Sequence, residues 1–194
     1  MAKKNRYEFR PDRVNNDTLG KLLLTRRQFL LLLRWLLLGS IALAGLILQD
    51  VVMSRVRIFG ATTDLVPVLI FAICVLQGGE SGCWFALIAS LIYHFSGSAP
   101  GPYCIILITF LAVFSAIFRQ AYLQKGFFAL FLCAGGAMVL YELGIFLVGL
   151  FLGQTDTGRF SVFPITAGLS CLCLPVLYPI LLSVGKIGGE TWKE

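Results

Sequence analysis

The chain has 194 residues, 58% of them hydrophobic and 13% charged, with a net charge of +6. A soluble domain is about 45–50% apolar and about 25% charged, so an ordinary soluble fold is excluded. Nucleic acid is a poor match for the basic balance: eight of the sixteen Lys and Arg stand ahead of the first apolar block, with no Arg–aromatic interleaving to stack bases.

Residues 1–28 are polar and basic and read as a cytoplasmic leader, disordered over Met1–Asn16, with Leu19–Gln28 forming a short interfacial helix. An apolar block follows, long enough to cross about 30 Å of hydrocarbon at about 1.5 Å per residue. It gives a first span over 29–49, with Arg34 snorkelling to the headgroups. Ala42-Leu43-Ala44 resembles a signal-peptidase site. The charged leader and the arginine in the apolar core mark the segment as an uncleaved anchor instead.

Two short apolar segments, 64–77 and 82–95, are joined by a Gly-rich polar turn. Pro67 is tolerated in the first turn of the earlier one. A turn over 97–102 precedes a fourth span, 103–118, with Arg119 and Lys125 in the loop beyond it. The fifth span covers 127–152 and the sixth 162–184, the latter bent by Pro175 and Pro179. Residues 185–194 form a polar tail.

The expected fold class is therefore an all-α integral membrane protein with six transmembrane helices and both termini cytoplasmic. Arg55, Arg57 and Arg159 fall outside, whereas twelve of the sixteen Lys and Arg fall inside. A re-entrant hairpin over 64–95 gives four spans and the same charge count. Membrane lipid is the immediate partner.

Chemistry-bearing patterns are few. There is no phosphate loop, G-x-S-x-G or H-E-x-x-H, and no polar segment long enough for a soluble catalytic domain, so no enzyme activity and no cofactor are expected. The six cysteines lie in or beside apolar runs without C-x-x-C spacing, which argues for packing rather than a metal site. Gly82, Ala86, Ser90 and His94 recur every four residues and share a helix face. Such a small-residue face lets another helix approach, either within the bundle or from a partner. His94 stands at the outer end of that helix, suited to water or a neighbouring helix. Asp64 opens a helix, where a carboxylate caps free N–H groups. Glu142 lies inside an apolar run, where an ionisable group is costly unless paired or wetted. Partner contact, substrate contact, proton relay and internal hydrogen bonding are all open to it. The external loops offer a ligand little besides Arg55, Arg57, Tyr103, Asp156 and Arg159.

These features together resemble the MreD family of rod-shape-determining membrane proteins. The resemblance rests on the basic leader and first span, Asp64-Leu65 opening a short apolar segment, the Gly-containing turn, the small-residue segment and Ser96-Gly97 before the next span. Thr63 stands where the family often has Pro, and Tyr93 where it often has Asp. The resemblance implies a non-enzymatic component of the bacterial elongation machinery in the cell membrane. Such a protein works with MreC and, through it, with MreB, RodA and a penicillin-binding transpeptidase. Asp64, Glu142 and the small-residue stripe are then its candidate contact positions. The substrate-binding subunits of energy-coupling-factor vitamin transporters are also six-span proteins of this size. The MreD fold is thought to be similar to theirs, so vitamin binding is the alternative.

Overall fold

Predominantly apolar sequence from Phe29 onward builds the first helix, α1 (Arg26–Val51), which at about 1.5 Å per residue is about 39 Å long. The protein is described here by a computed structural model covering residues 26–56, 60–123 and 126–187. The leader over Met1–Asn16, most of the interfacial helix expected over Leu19–Gln28, and the end of the tail lie outside those residues. The remaining helices are α2 (Leu65–Gln77), α3 (Gly79–Phe95), α4 (Tyr103–Tyr122), α5 (Phe127–Phe151), α6 (Val162–Cys171) and α7 (Leu174–Gly185).

The organising element is α2. Every residue from Leu65 to Leu76 is buried, and the helix packs against each of the other six. A helix apolar on all sides has no solvent-facing stripe and belongs at the centre of a bundle. Two glycines let neighbours close on it. A side chain at Gly45 of α1 would meet Leu69 Cδ1 at 2.9 Å, and one at Gly82 of α3 would meet the Cys74 carbonyl at 3.0 Å and its Cα at 3.1 Å. Gly78 reverses the chain between α2 and α3 with φ 95°, a left-handed conformation open to glycine at little cost.

Polar and apolar groups are distributed as lipid demands. Phe110, Phe114, Phe118 and Tyr122 form an exposed ladder along α4, with successive ring centroids 6.4, 6.4 and 5.1 Å apart. Gln49, Ser90, Ser115, Arg119, Glu142 and Ser170 are buried. Helices α1, α4 and α5 are long and apolar enough to cross a membrane, and α6 with α7 makes a fourth candidate if the bent pair is one span. The fold is thus all-α with three to four candidate spans. Helix α2, at 13 residues, runs only about 20 Å, and α3 has 17 residues.

Several boundaries differ from expectation. Helix α3 starts at Gly79, so the polar turn residues Glu80 and Ser81 are helical. Helix α4 runs on to Tyr122, placing Arg119 inside it and buried instead of in a loop. Arg34 does not snorkel: it is buried in the bundle, its Nε without a partner among the described residues. The last expected span is broken, with α6 and α7 meeting at 42°. The break precedes Pro175, which has no N–H to give the Cys171 carbonyl and disfavours helical backbone at Leu174. Ahead of it the Cys173 N–H reaches back only three residues, to Ser170 O at 3.1 Å, and Leu177 N–H to Cys173 O (3.0 Å) restarts the ladder.

Candidate functional site

The start of α2 gathers polar groups from most of the bundle. Asp64 occupies the N-cap position of α2, but its carboxyl caps nothing. The cap comes from another helix, since the Val66 N–H donates to Gln49 Oε1 of α1 at 2.7 Å. Gln49 Nε2 in turn donates to the Tyr93 hydroxyl of α3 at 3.3 Å. The Asp64 N–H donates to Ser170 Oγ at 2.8 Å, beside the α6–α7 break. The expectation that Asp64 caps α2 is therefore corrected: Gln49, 17 residues upstream of Val66, does so.

With its backbone tied and no cap to make, the Asp64 carboxyl is near enough to Glu142 for the two groups to act on each other electrostatically. Glu142 is 7% exposed and its Oε1 has no partner among the described residues. The Tyr141 hydroxyl, wholly buried, lies in the field of Asp64, Glu142 and Tyr93 and likewise has no partner. Buried polar groups are nearly always hydrogen-bonded, so two orphans side by side are unusual.

Asp64 also lines a cavity of about 320 Å³, together with Gln49, Asp50, Ser54, Thr62, Thr63, Ser96, Gly97 and Ser98. Ser98 donates a hydrogen bond to Asp50, tying the end of α3 to the end of α1. A second concavity lies along the flank of α2. It is an apolar groove of about 500 Å³ between α1 and α3, with Trp35, Gly39, Ala42 and Leu46 on one wall and Trp84, Phe85, Ile88 and Ala89 on the other. Val66 and Ile70 of α2 form its floor.

The remaining sequence-derived candidates divide sharply. Gly82, Ala86 and Ser90 are buried, and the stripe is occupied from within. Gly82 abuts Cys74 of α2, and Ser90 Oγ is 3.3 Å from Thr109 Oγ1 of α4. His94 is half-buried at the outer end of α3, its ring 5.9 Å from Phe95 and its Nδ1 without a partner among the described residues. Among the described residues no group of three or more His, Cys, Asp or Glu is placed to hold a metal ion. The six cysteines are free.

Gln49, Asp50, Tyr141 and Ser170 escaped sequence reasoning, Tyr93 entered it only as a departure from the family pattern, and the cavity, which draws on none of the loop residues expected to offer a ligand anything, escaped it too. The available signal was Gln49-Asp50 closing an apolar block and Tyr141-Glu142 interrupting one. No family model, curated protein or solved structure matches the chain.

Proposed function

We propose that this protein is a non-enzymatic membrane scaffold that seats a transmembrane helix of a partner. The groove between α1 and α3 carries the reading. Its wall on α1 runs from Trp35 to Leu46, about three helical turns, and is almost wholly apolar. Gly39 and Ala42 face it, small residues of the kind that let helices pack closely in lipid. Trp84 on the opposite wall is a large ring 70% exposed. Hot spots of interfaces are enriched in such residues.

The sequence resemblance to MreD names the partner class. In this reading the chain sits in the bacterial cell membrane with both termini cytoplasmic, and α2 and α3 complete a six-span bundle. The groove takes the membrane helix of MreC and so serves lateral cell-wall synthesis and cell shape. Purification in mild detergent tests it: MreC and cell-wall synthases co-purify, and their absence from an otherwise intact preparation overturns it. A second reading, the substrate-binding subunit of an energy-coupling-factor transporter, is favoured by the polar cavity above Asp64. Recovery of paired ATPases with a coupling subunit selects it.

A further inference from the structure

Arg34 has no counterpart in the bundle. It is 5% exposed, and no hydrogen bond or ion pair joins it to any of the described residues. Its Nε is sealed from solvent. The two nitrogens at the tip are equally unpartnered but are not sealed, and they hold what access remains. A guanidinium carries five N–H donors and stays charged, and a buried charge without a partner is costly in protein and in lipid alike.

Sequence and packing place that tip. Arg34 stands five residues past Phe29, where the apolar block begins, so it lies about 8 Å into that block. Leu38 and Gly45 share its face of α1; Leu38 is buried and Gly45 abuts Leu69 of α2. Trp35, which lines the groove, is turned about 100° from it, so a helix seated in the groove does not meet the guanidinium. Helix α7 also packs against α1. Gln49 and Ser170 both bond the start of α2. Arg34 is 15 residues before Gln49 and Lys186 is 16 past Ser170, which puts both about 22–24 Å toward the other end of the bundle. Lys186, exposed at the end of α7, is thus level with Arg34 on a packed neighbour. Among the described acids, Asp50, Asp64, Glu142 and Asp156 stand toward the far end. Glu80, the one at this end, belongs to α3 on the groove side.

We propose that Arg34, with Lys186 at its level on α7, binds the phosphate of an anionic phospholipid in the leaflet where α1 begins. The guanidinium fork matches two phosphate oxygens by parallel hydrogen bonds, and basic sites between membrane helices suit such headgroups. Phe29, Leu32 and Leu36 are exposed on the same stretch of α1 and give acyl chains a wall. A free phosphate brings nothing to that wall, and two cations without a facing acid favour a lipid of net negative charge over a zwitterion. The inference rests on neither functional reading above, since Arg34 faces away from the groove and stands at the opposite end from the cavity.

The test is thermal unfolding of the purified full chain in a neutral detergent, titrated separately with phosphatidylglycerol, phosphatidylcholine and inorganic phosphate. Phosphatidylglycerol should raise Tm saturably, with apparent affinity at least tenfold weaker in Arg34→Gln and less weakened in Lys186→Gln. Arg55→Gln, an exposed substitution beyond the other end of α1, should leave it unchanged. Equal stabilisation by phosphatidylcholine or by inorganic phosphate overturns the proposal, as does binding kept in Arg34→Gln. No stabilisation by any of the three also overturns it and assigns the guanidinium to a carboxylate of a membrane partner. Should Arg34→Gln fail to fold, wild-type protein suffices. Phenylglyoxal, a reagent for guanidinium groups, should modify Arg34, and phosphatidylglycerol should slow this at least threefold while leaving Arg55 unaffected. An unchanged rate at Arg34, or no modification there without lipid, overturns the site.

Discussion

Replacing Gln49 by Ala should destabilise the bundle through a residue that touches the start of α2 only by its side chain. Two bonds are lost. The Val66 N–H, in a residue 4% exposed, loses its acceptor at 2.7 Å, and a stranded buried donor costs about 1–3 kcal/mol. The Tyr93 hydroxyl loses its 3.3 Å bond, for which about 0.6 kcal/mol is typical between side chains in membrane bundles. The sum, about 2–3.5 kcal/mol, corresponds to a fall in Tm of about 4–14 °C for a chain of this size. Gln49→Glu keeps an oxygen for the Val66 N–H and should recover part of the loss. Hydrogen exchange separates this from a general loosening: the residue-66 amide should exchange fast in Gln49→Ala and stay slow in Asp64→Ala. Slow exchange in Gln49→Ala, or fast exchange only in Asp64→Ala, refutes the capping assignment.

Three further outcomes follow from the geometry. Gly82→Ala should cost about 1–3 kcal/mol of overpacking in detergent unfolding, and Cys74→Ala should restore only part of it, since the backbone of residue 74 also stands within 3.0–3.1 Å. Gly39→Phe should leave Tm near wild type, because a Cβ there meets nothing within 4 Å, yet should abolish co-purification of a partner helix by filling the groove. Restored binding in this variant would remove the groove from the function. In a cysteine-free background, Glu80→Cys should be labelled from the face opposite the cavity, because α2 runs from the cavity floor to the turn at Gly78; labelling from the cavity face would reverse that placement.

Long-range order was legible where apolar length decides it. The helices over 103–122 and 127–151 follow from long, mainly hydrophobic runs, and their starts are the expected ones. The small-residue stripe was legible as a packing face, but not its occupant, because Gly82 and Ala86 would serve an internal helix or a partner's equally well. Asp64 shows a limit of another kind. Local capping rules hand the N-cap job to the residue at the N-cap, and they carry no information about Gln49, which reaches the same N–H from a different helix. The break at 172–173 falls in the turn just ahead of Pro175, one of the two prolines expected to bend the last span.

The shortness of α2 and the presence of the cavity are one fact. A helix of 13 residues leaves about 10 Å of a 30 Å hydrocarbon layer to be covered by something else. That part of the chain is Thr62, Thr63 and Asp64, non-helical backbone lining the cavity. Such backbone survives at membrane depth only when it is buried in protein or lines a wet cavity. Glu142 lies about 13 Å short of the end of α5, near Asp64 at the start of α2. Lengthening α2 outward by one turn would bury the backbone of 62–64 in its own hydrogen bonds and close the cavity over Asp64. The polar end is therefore retained at the expense of a full span, and the carboxyl pair lies where that span stops.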